Sequence, residues 1–377
     1  MARLGDICKF QSGGTPSKGE PSYFNGNIPW ITTVALNGSI IDESYAVDWI
    51  TEKAIENSAA KVVPANSVMV GTRVGVGKVA INKVPMSTSQ DIISLLDIDE
   101  SKWSKEFICK FILGKGAYLN SQARGATIKG IKIETLAGLQ LPVIPLEQQC
   151  KIATVIDAVD NLISLRKQQL AKLDELVKAR FVELFIGKGY PLKTVDEVSL
   201  EKGEYGAQSA SAEYDPARPR YVRITDINDD GTLNDDVVAS INPADDEQYK
   251  LEYGDFMFAR MGATVGKTYA FIEGNQIFAG YLIRYRLNRE IINPRYLFWY
   301  TKLDEYWNWV KLNQSGAAQP GINAKKYGSL QIPLPPIEEQ NTFAAFVEQT
   351  DKSKLAIQQS LDKLEILKKS LMQKYFG

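Results

Sequence analysis

One segment, written twice, decides most of what this chain can be. Residues 145–186, PLEQQCKIATVIDAVDNLISLRKQQLAKLDELVKARFVELFI, contain no glycine; Ile156, Ile163, Leu170, Val177 and Leu184 recur every seventh residue, with Ile152, Val159 and Leu173 on the neighbouring track. That is the pattern of a coiled-coil helix. Pro145 suits a first helical turn, where its missing N–H is not needed, and Glu147 complements the positive end of the helix dipole. At about 1.5 Å per residue, such a helix is a rod of roughly 60 Å. Adding 191 to its numbers lands on PIEEQNTFAAFVEQTDKSKLAIQQSLDKLEILKKSLMQKYFG, which begins at Pro336. Without a gap, Pro142, Pro145, Glu147, Gln149, Asp160, Leu170, Leu173, Leu176 and Phe185 fall on Pro333, Pro336, Glu338, Gln340, Asp351, Leu361, Leu364, Leu367 and Phe376. A lone heptad stripe usually means a helix pair in a core, but its ungapped recurrence marks a duplication. The second seam is Phe343, Val347, Ile357, Leu361, Leu364 and Leu371.

Composition narrows the chemistry. A chain of 377 residues, 44% apolar and 24% charged, has room for two or three ordinary globular domains. It contains no histidine, which removes the commonest general base, the usual catalytic triads and most catalytic zinc sites, while leaving carboxylate chemistry open. Cys8, Cys109 and Cys150 show no CxxC spacing, so neither a disulfide framework nor a zinc centre is expected. No apolar run is long enough to span a membrane, and MARLGDICKF lacks the apolar stretch of a signal peptide, so a cytoplasmic protein with no membrane partner is expected. The net charge is −1. Any surface that meets nucleic acid must therefore be a local patch or be supplemented by a basic partner.

Read in order, the chain divides into a domain at 1–145, a spacer helix at 146–187, a second domain at 188–336 and a second spacer helix at 337–377. The fold class is α+β: two similar mixed α/β domains separated by two long helices. In the first domain, IPWITTVAL reads as a strand, VVPANSVMVGTRVGVGKVAINKV as a hairpin, STSQDIISLLDI as another strand, FICKFILGKGAYLNSQ as one short amphipathic helix and LAGLQLPVIPL as a closing strand. The second domain repeats the plan in other words: PRYVRITDI, GDFMFARMGATVGKTYAF and IFAGYLIRYRL stand in the corresponding places. Two rods with equivalent surfaces can pair about a pseudo-two-fold axis, which makes them an antiparallel coiled coil. Two readers at a fixed separation suit a split site on DNA, whose grooves recur about every 34 Å on one face.

SGGTPSKGEPSYFNGNIPWI (12–31), GATVGKT (262–268), the paired boundaries LQLPVIPLEQQ and LQIPLPPIEEQ and the twin rods together resemble the specificity subunits of Type I restriction-modification systems, over the whole chain. The resemblance implies two target recognition domains, each reading one half of a bipartite double-stranded DNA sequence, with the helices setting the unread spacer. It also implies two methyltransferase subunits as partners, holding the S-adenosylmethionine, and a restriction translocase joining them. The second domain departs from the pattern at its start, where EKGEYGAQSASAEYDPARPRYV lacks the GGTPS wording.

Several motifs have competing readings. Gly262 to Thr268 looks like a phosphate loop, but only three residues separate its first Gly from the Gly-Lys pair where a P-loop needs four. A plain hairpin turn is one alternative; a turn carrying Arg260 and Lys267 to DNA is another, with Arg73 and Lys78 in its counterpart. The loops at 125–129 and 316–321 precede each closing strand, and Arg124, Thr127, Lys129, Arg223, Gln314, Gln319 and Asn323 complete the candidate contacts, although plain surface loops look the same in sequence. YLFWYTKLDEYWNW (296–309) offers a stacking platform or, by its helical spacing, a core helix. The acid-rich stretch 226–247, with Asp229, Asp230, Asp235, Asp236, Asp245 and Asp246, reads as a solvated loop rather than a metal site. No cofactor loop and no Asn/Asp-Pro-Pro-aromatic tetrad of a DNA methyltransferase is present, and Pro335-Pro336 is a helix entry, so no catalysis and no cofactor are expected on this chain. The competing expectation is a coiled-coil scaffold whose domains bind only protein.

Overall fold

The computed structural model describes residues 1–125, 127–241, 247–316 and 320–377. Contacts divide the chain into two compact units, Met1–Lys167 with Gln359–Gly377, and Gln168–Gln358. Each unit therefore takes part of both long helices, Leu146–Phe185 and Ile337–Phe376.

In the first unit, strands Lys9–Ser12, Ile92–Leu96, Val68–Gly71, Val79–Asn82 and Ile40–Ile41 form a sheet in that order. A second sheet orders Asp48–Ile50, Phe24–Ile31, Met86–Thr88 and Val62–Val63, with Trp30 and Ile31 running parallel to Ser87 and Thr88. The strands Val68–Gly71 and Val79–Asn82 are buried on both faces, which suits their near-continuous apolar wording. Helix Lys105–Gly114 lays Phe107, Ile108, Phe111 and Ile112 on Val68, Val70, Val79, Ile81, Ile93 and Leu95. The expected single helix breaks at Lys115 and resumes as Gly116–Gln122.

In the second unit the order Glu204–Tyr205, Leu282–Arg286, Asp255–Ala259, Thr268–Ala270 repeats the first four strands of the larger sheet, and Arg220–Val222 pairs parallel with Gln276–Phe278. Helices Pro294–Tyr300 and Asp304–Asn313 bury Tyr296, Leu297, Tyr300 and Tyr306 against Phe256, Phe258, Ile283 and Tyr285. The aromatic run is core, as its helical spacing implies.

The long helices pair antiparallel within each unit. In the first unit Asp160 meets Lys368 at 2.6 Å and Lys167 meets Glu365 at 3.1 Å, so one chain ascends as the other descends. In the second unit Phe185 packs on Phe343, with ring centroids 5.6 Å apart, and Asp174 pairs with Lys354. Among the seam residues, Ile152, Ile156, Val159, Val177, Phe343, Val347 and Leu361 are buried, and Ile163, Leu170, Leu173, Leu184, Ile357, Leu364 and Leu371 are half-buried. Phe181, Phe185 and Phe376 are also buried, the last against Phe107 and Phe111.

Each long helix is fastened to its domain by a buried glutamine at a duplicated position. Gln149 Oε1 accepts from Ser104 N, and its Nε2 donates to Lys102 O and Ile144 O. Gln340 Oε1 accepts from Asn293 N, and its Nε2 donates to Ile291 O and Pro335 O. Lys110, 3% exposed, adds a bond to Asp157 of 2.5 Å in the first unit; Arg295 reaches Asp351 at 3.1 Å in the second.

Candidate nucleic-acid interface

Glycine-built turns bring four loops together at one end of each sheet. In the first unit Gly77 N donates to Gly71 O and Gly71 N to Lys78 O, closing the turn between Val68–Gly71 and Val79–Asn82. Gly75 and Gly77 both take φ of +81°, a left-handed conformation that costs glycine little. In the second unit Gly266 N donates to Ala259 O and Ala259 N to Lys267 O around the equivalent turn. A strand, Thr268–Ala270, follows this turn, so no helix N-terminus stands behind it to hold a phosphate.

A second loop crosses each turn. Arg124 and Gly130 exchange both backbone hydrogen bonds, as do Ser315 and Gly321, and then Ile131 N donates to Thr72 O and Ile322 N to Arg260 O. The third contact is Thr72 N to Asp91 O and Arg260 N to Tyr281 O. The fourth is Gly13 N to Ile92 O with Gly14 N to Thr88 O, matched by Gly206 N to Leu282 O with Ala207 N to Phe278 O. A Cβ on Gly13 would lie 2.3 Å from Ser89 O, and one on Gly206 2.4 Å from Phe278 O, so both crossings demand glycine. The second domain thus keeps the crossing that GGTPS makes in the first while spelling it differently. These bonds also make Thr72, not Arg73, the counterpart of Arg260.

Among the sequence candidates, Arg73, Arg124, Thr127 and Lys129 gather at this end of the first unit, all exposed, with Arg73 Nη1 3.9 Å from Asp91. Lys78 is exposed at the far side of the turn. In the second unit Arg260, Gln314 and Asn323 come together around Gly321, and Asn323 caps the helix Ala324–Gly328 by accepting from Lys326 N. Gln319 lies outside the described residues.

Arg223 and Lys267 stand apart. Arg223 binds the Asp226 carboxylate at 2.8 Å and the Val237 carbonyl, while Lys267 Nζ binds Asp229 at 2.8 Å and the Ile227 carbonyl. Both cations are paired with carboxylates of their own domain. Nor is the acidic stretch uniformly solvated: Asp226 is 2% exposed because Arg223 compensates its burial, and Asp245 and Asp246 lie outside the described residues. Two lysines fasten that loop. Lys267 holds the Asp229 carboxyl below the usual range, and Lys302 donates to Asp229 O at 2.7 Å with its Nζ 4.3 Å from the Phe298 ring centroid. Burial pushes the Lys302 amine down to about 8. Among the described residues no group of three His, Cys, Asp or Glu is placed to hold a metal ion. Burial pushes the Cys8 and Cys109 thiols up to about 12, far from the thiolate a nucleophile needs.

Sequence reasoning missed Tyr205, Gln208 and Tyr281, which are exposed beside Arg260. The signal existed in the Gly206 register, but the absence of GGTPS hid it. No helix among the described residues is long and apolar enough to cross a membrane.

A family model described as the Type I restriction modification DNA specificity domain matches this chain twice, over 1–175 and 192–366. Among curated proteins, the chain is similar to the Type I restriction enzyme MjaIX specificity subunit of Methanocaldococcus jannaschii, 31% identical over 189 residues, 49% of this chain and 43% of that protein. It is likewise similar to the EcoR124I/EcoR124II specificity subunit of Escherichia coli, 30% identical over 185 residues, 47% of this chain and 45% of the relative. These two alignments span less than half of either relative's length. The MjaVIII specificity subunit of M. jannaschii is 24% identical over 407 residues, 99% of this chain and 90% of the relative. Two solved structures share the fold along the full chain: the S subunit of a Type I restriction-modification system from M. genitalium, with TM-score 0.62, 14% identity and 95% of that chain covered, and a chain from a study of complex assembly in the type I R-M system, with TM-score 0.63, 18% identity and 96% covered.

Proposed function

Because this chain belongs to the Type I restriction-modification DNA specificity family, we propose that it is the sequence-reading subunit of such a complex, each domain reading one half of a bipartite duplex target. The observation that carries the reading is one backbone frame used twice with different side chains. The reciprocal pairs Arg124/Gly130 and Ser315/Gly321 share their geometry, yet the loops around them present Arg73, Arg124 and Lys129 in one unit and Arg260, Gln314 and Asn323 in the other. A fixed frame with exchangeable contacts is what reading two unrelated half sequences requires.

The long helices set the unread spacer in this reading and dock two methyltransferase subunits. Leu176 and Leu367, equivalent in the duplication, are 49% and 45% exposed, so each copy offers the same apolar contact to one partner. S-adenosylmethionine belongs to those partners, a restriction translocase completes the assembly, the setting is the cytoplasm, and this chain performs no catalysis. With a net charge of −1, the chain gains its phosphate affinity chiefly through its partners.

The test is to express the chain with its methyltransferase subunits and map modified bases in the host DNA. A two-part sequence with a constant gap is expected, and exchanging residues 1–145 for another reader alters one half only. Modification without any two-part sequence would favour the protein-binding scaffold instead.

A further inference from the structure

We infer that Arg260 reads a guanine in the half sequence assigned to the second domain, and that Tyr205 is the positioning residue that aims it. The inference rests on reading that domain as a DNA reader and adds which base it selects and through which side chains.

Arg260 differs from four other arginines of its domain. Arg220, Arg223, Arg284 and Arg286 each face a carboxylate within 4 Å, at Asp235, Asp226, Asp255 and Asp255 respectively. Arg260 faces none among the described residues. Its guanidinium instead lies over the Tyr205 ring, 4.7 Å from the centroid. Nη1 donates to the Gly280 carbonyl at 3.4 Å, and Nε is buried. Nη2 and the second N–H of Nη1 therefore remain to meet a partner, with the guanidinium resting on the ring.

The support beneath this plane is rigid. Ala324 N donates to the Tyr205 hydroxyl at 3.1 Å, tying the ring to the helix that follows Asn323. Arg260 N and O are both engaged, to Tyr281 O and Ile322 N, so the backbone beneath the side chain is fixed at a crossing of two loops. Tyr281 is exposed next to this crossing, and Gln208 is exposed against Gly280.

A phosphate is satisfied by a mobile cation, and a flexible lysine serves it. A planar fork resting on a ring, with its Nε buried and no carboxylate beside it among the described residues, matches the paired acceptors O6 and N7 that guanine shows in the major groove. Stacking also lowers the conformational entropy lost on binding, because the fork is ordered before DNA arrives. The first domain carries Thr72 at the equivalent backbone position, so the same device is absent from its half.

The experiment uses the complex of the full chain with its methyltransferase subunits. Mapping modified bases defines the wild-type target, and domain exchange identifies the half read by residues 188–336. A guanine in that half is expected. Equilibrium binding then compares the target duplex with one in which that G·C pair is replaced by A·T. Wild type should favour the target by roughly 5- to 150-fold, the range of one good bidentate contact, and Arg260→Lys should bring the ratio close to 1 with the other half sequence unchanged. Tyr205→Phe keeps the stack but loses the tie to Ala324 and should lower the ratio only in part, whereas Tyr205→Leu should lose most of it; a ratio unmoved by Tyr205→Leu would overturn the positioning role. The inference is overturned if that half contains no guanine, if Arg260→Lys weakens both duplexes equally as a phosphate contact would, or if it abolishes binding to both. A wild-type complex with no two-part target would instead overturn the reading on which this one rests.

Discussion

Gln149 and Gln340 each satisfy one backbone N–H and two carbonyls in a dry setting, 1% and 0% exposed. Replacing either with leucine keeps the volume but strands one buried and two partly buried polar groups, a fully buried one being worth about 1–3 kcal/mol. Gln149→Leu should therefore lower unfolding stability by on the order of 3 kcal/mol, read as a shift of the urea midpoint, with Gln340→Leu close behind; an unmoved midpoint would show the latch to be dispensable. Lys302 makes a prediction in pH. Its folded pKa lies below that of the unfolded chain, so between about pH 8 and 10 the unfolded state holds a proton that the folded state has released, and stability rises with pH. The gain is at most about 3 kcal/mol and smaller where water reaches the amine. As pH approaches 10 the sign reverses, because burial raises Tyr285, Tyr296, Tyr300, Tyr306 and Tyr327 while unfolded tyrosines ionise. Urea midpoints taken from pH 7 to 9 should climb for the native chain and fail to climb for Lys302→Met. At this scale the sequence shows which residues are duplicated but not what they touch. Gln149 and Gln340 are matched on the page, yet their partners are backbone atoms that no side-chain pattern reveals; Arg223 and Lys267 look like free cations until Asp226 and Asp229 are folded against them.

The long helices were the most legible elements, since a repeat of 3.5 residues leaves one apolar stripe over forty positions in each copy. The stripe does not show where most of the packing lies. Phe181, Phe185 and Phe343 interlock with Tyr296 in the second unit, and Phe376 closes on Phe107 and Phe111 in the first. Phe185→Ala and Phe376→Ala should each cost about 3–5 kcal/mol, as large-to-small changes in filled cores do, whereas Leu176→Ala, half exposed, should stay within about 0.5 kcal/mol. Denaturant titrations that ranked Leu176 with the phenylalanines would contradict this division. Short strands were less legible because tertiary pairing, not local wording, makes them: Glu204–Tyr205 is a strand only through its bonds to Ile283 and Arg284. The break at Lys115 was invisible for a similar reason. Gly116 meets no neighbour that a Cβ would strike, and the new helix is held by Asn120 bonding Val76 O across the domain.

At the scale of the molecule, the first unit is completed by Gln359–Gly377, from far along the sequence, and the helices give a ruler its arithmetic. Asp160 pairs with Lys368 and Asp174 with Lys354, so the same two-heptad interval separates the anchoring residues on both helices. Lengthening one helix alone would break that equality, moving at least one acid away from its lysine and shifting seam residues such as Leu170 and Leu361 out of register. Inserting four residues after Lys167 and four after Gln358 preserves the equality and adds about 6 Å. If the helices set the unread spacer, the mapped target should keep both half sequences and gain roughly one to two base pairs between them, at about 3.4 Å of duplex per pair. The single-helix insertion should depress modification at every sequence and reveal no new spacing. A doubly lengthened chain that still modified the original gap at full rate would mean that the spacer is set elsewhere, and that the duplicated seam serves only to close the two cores.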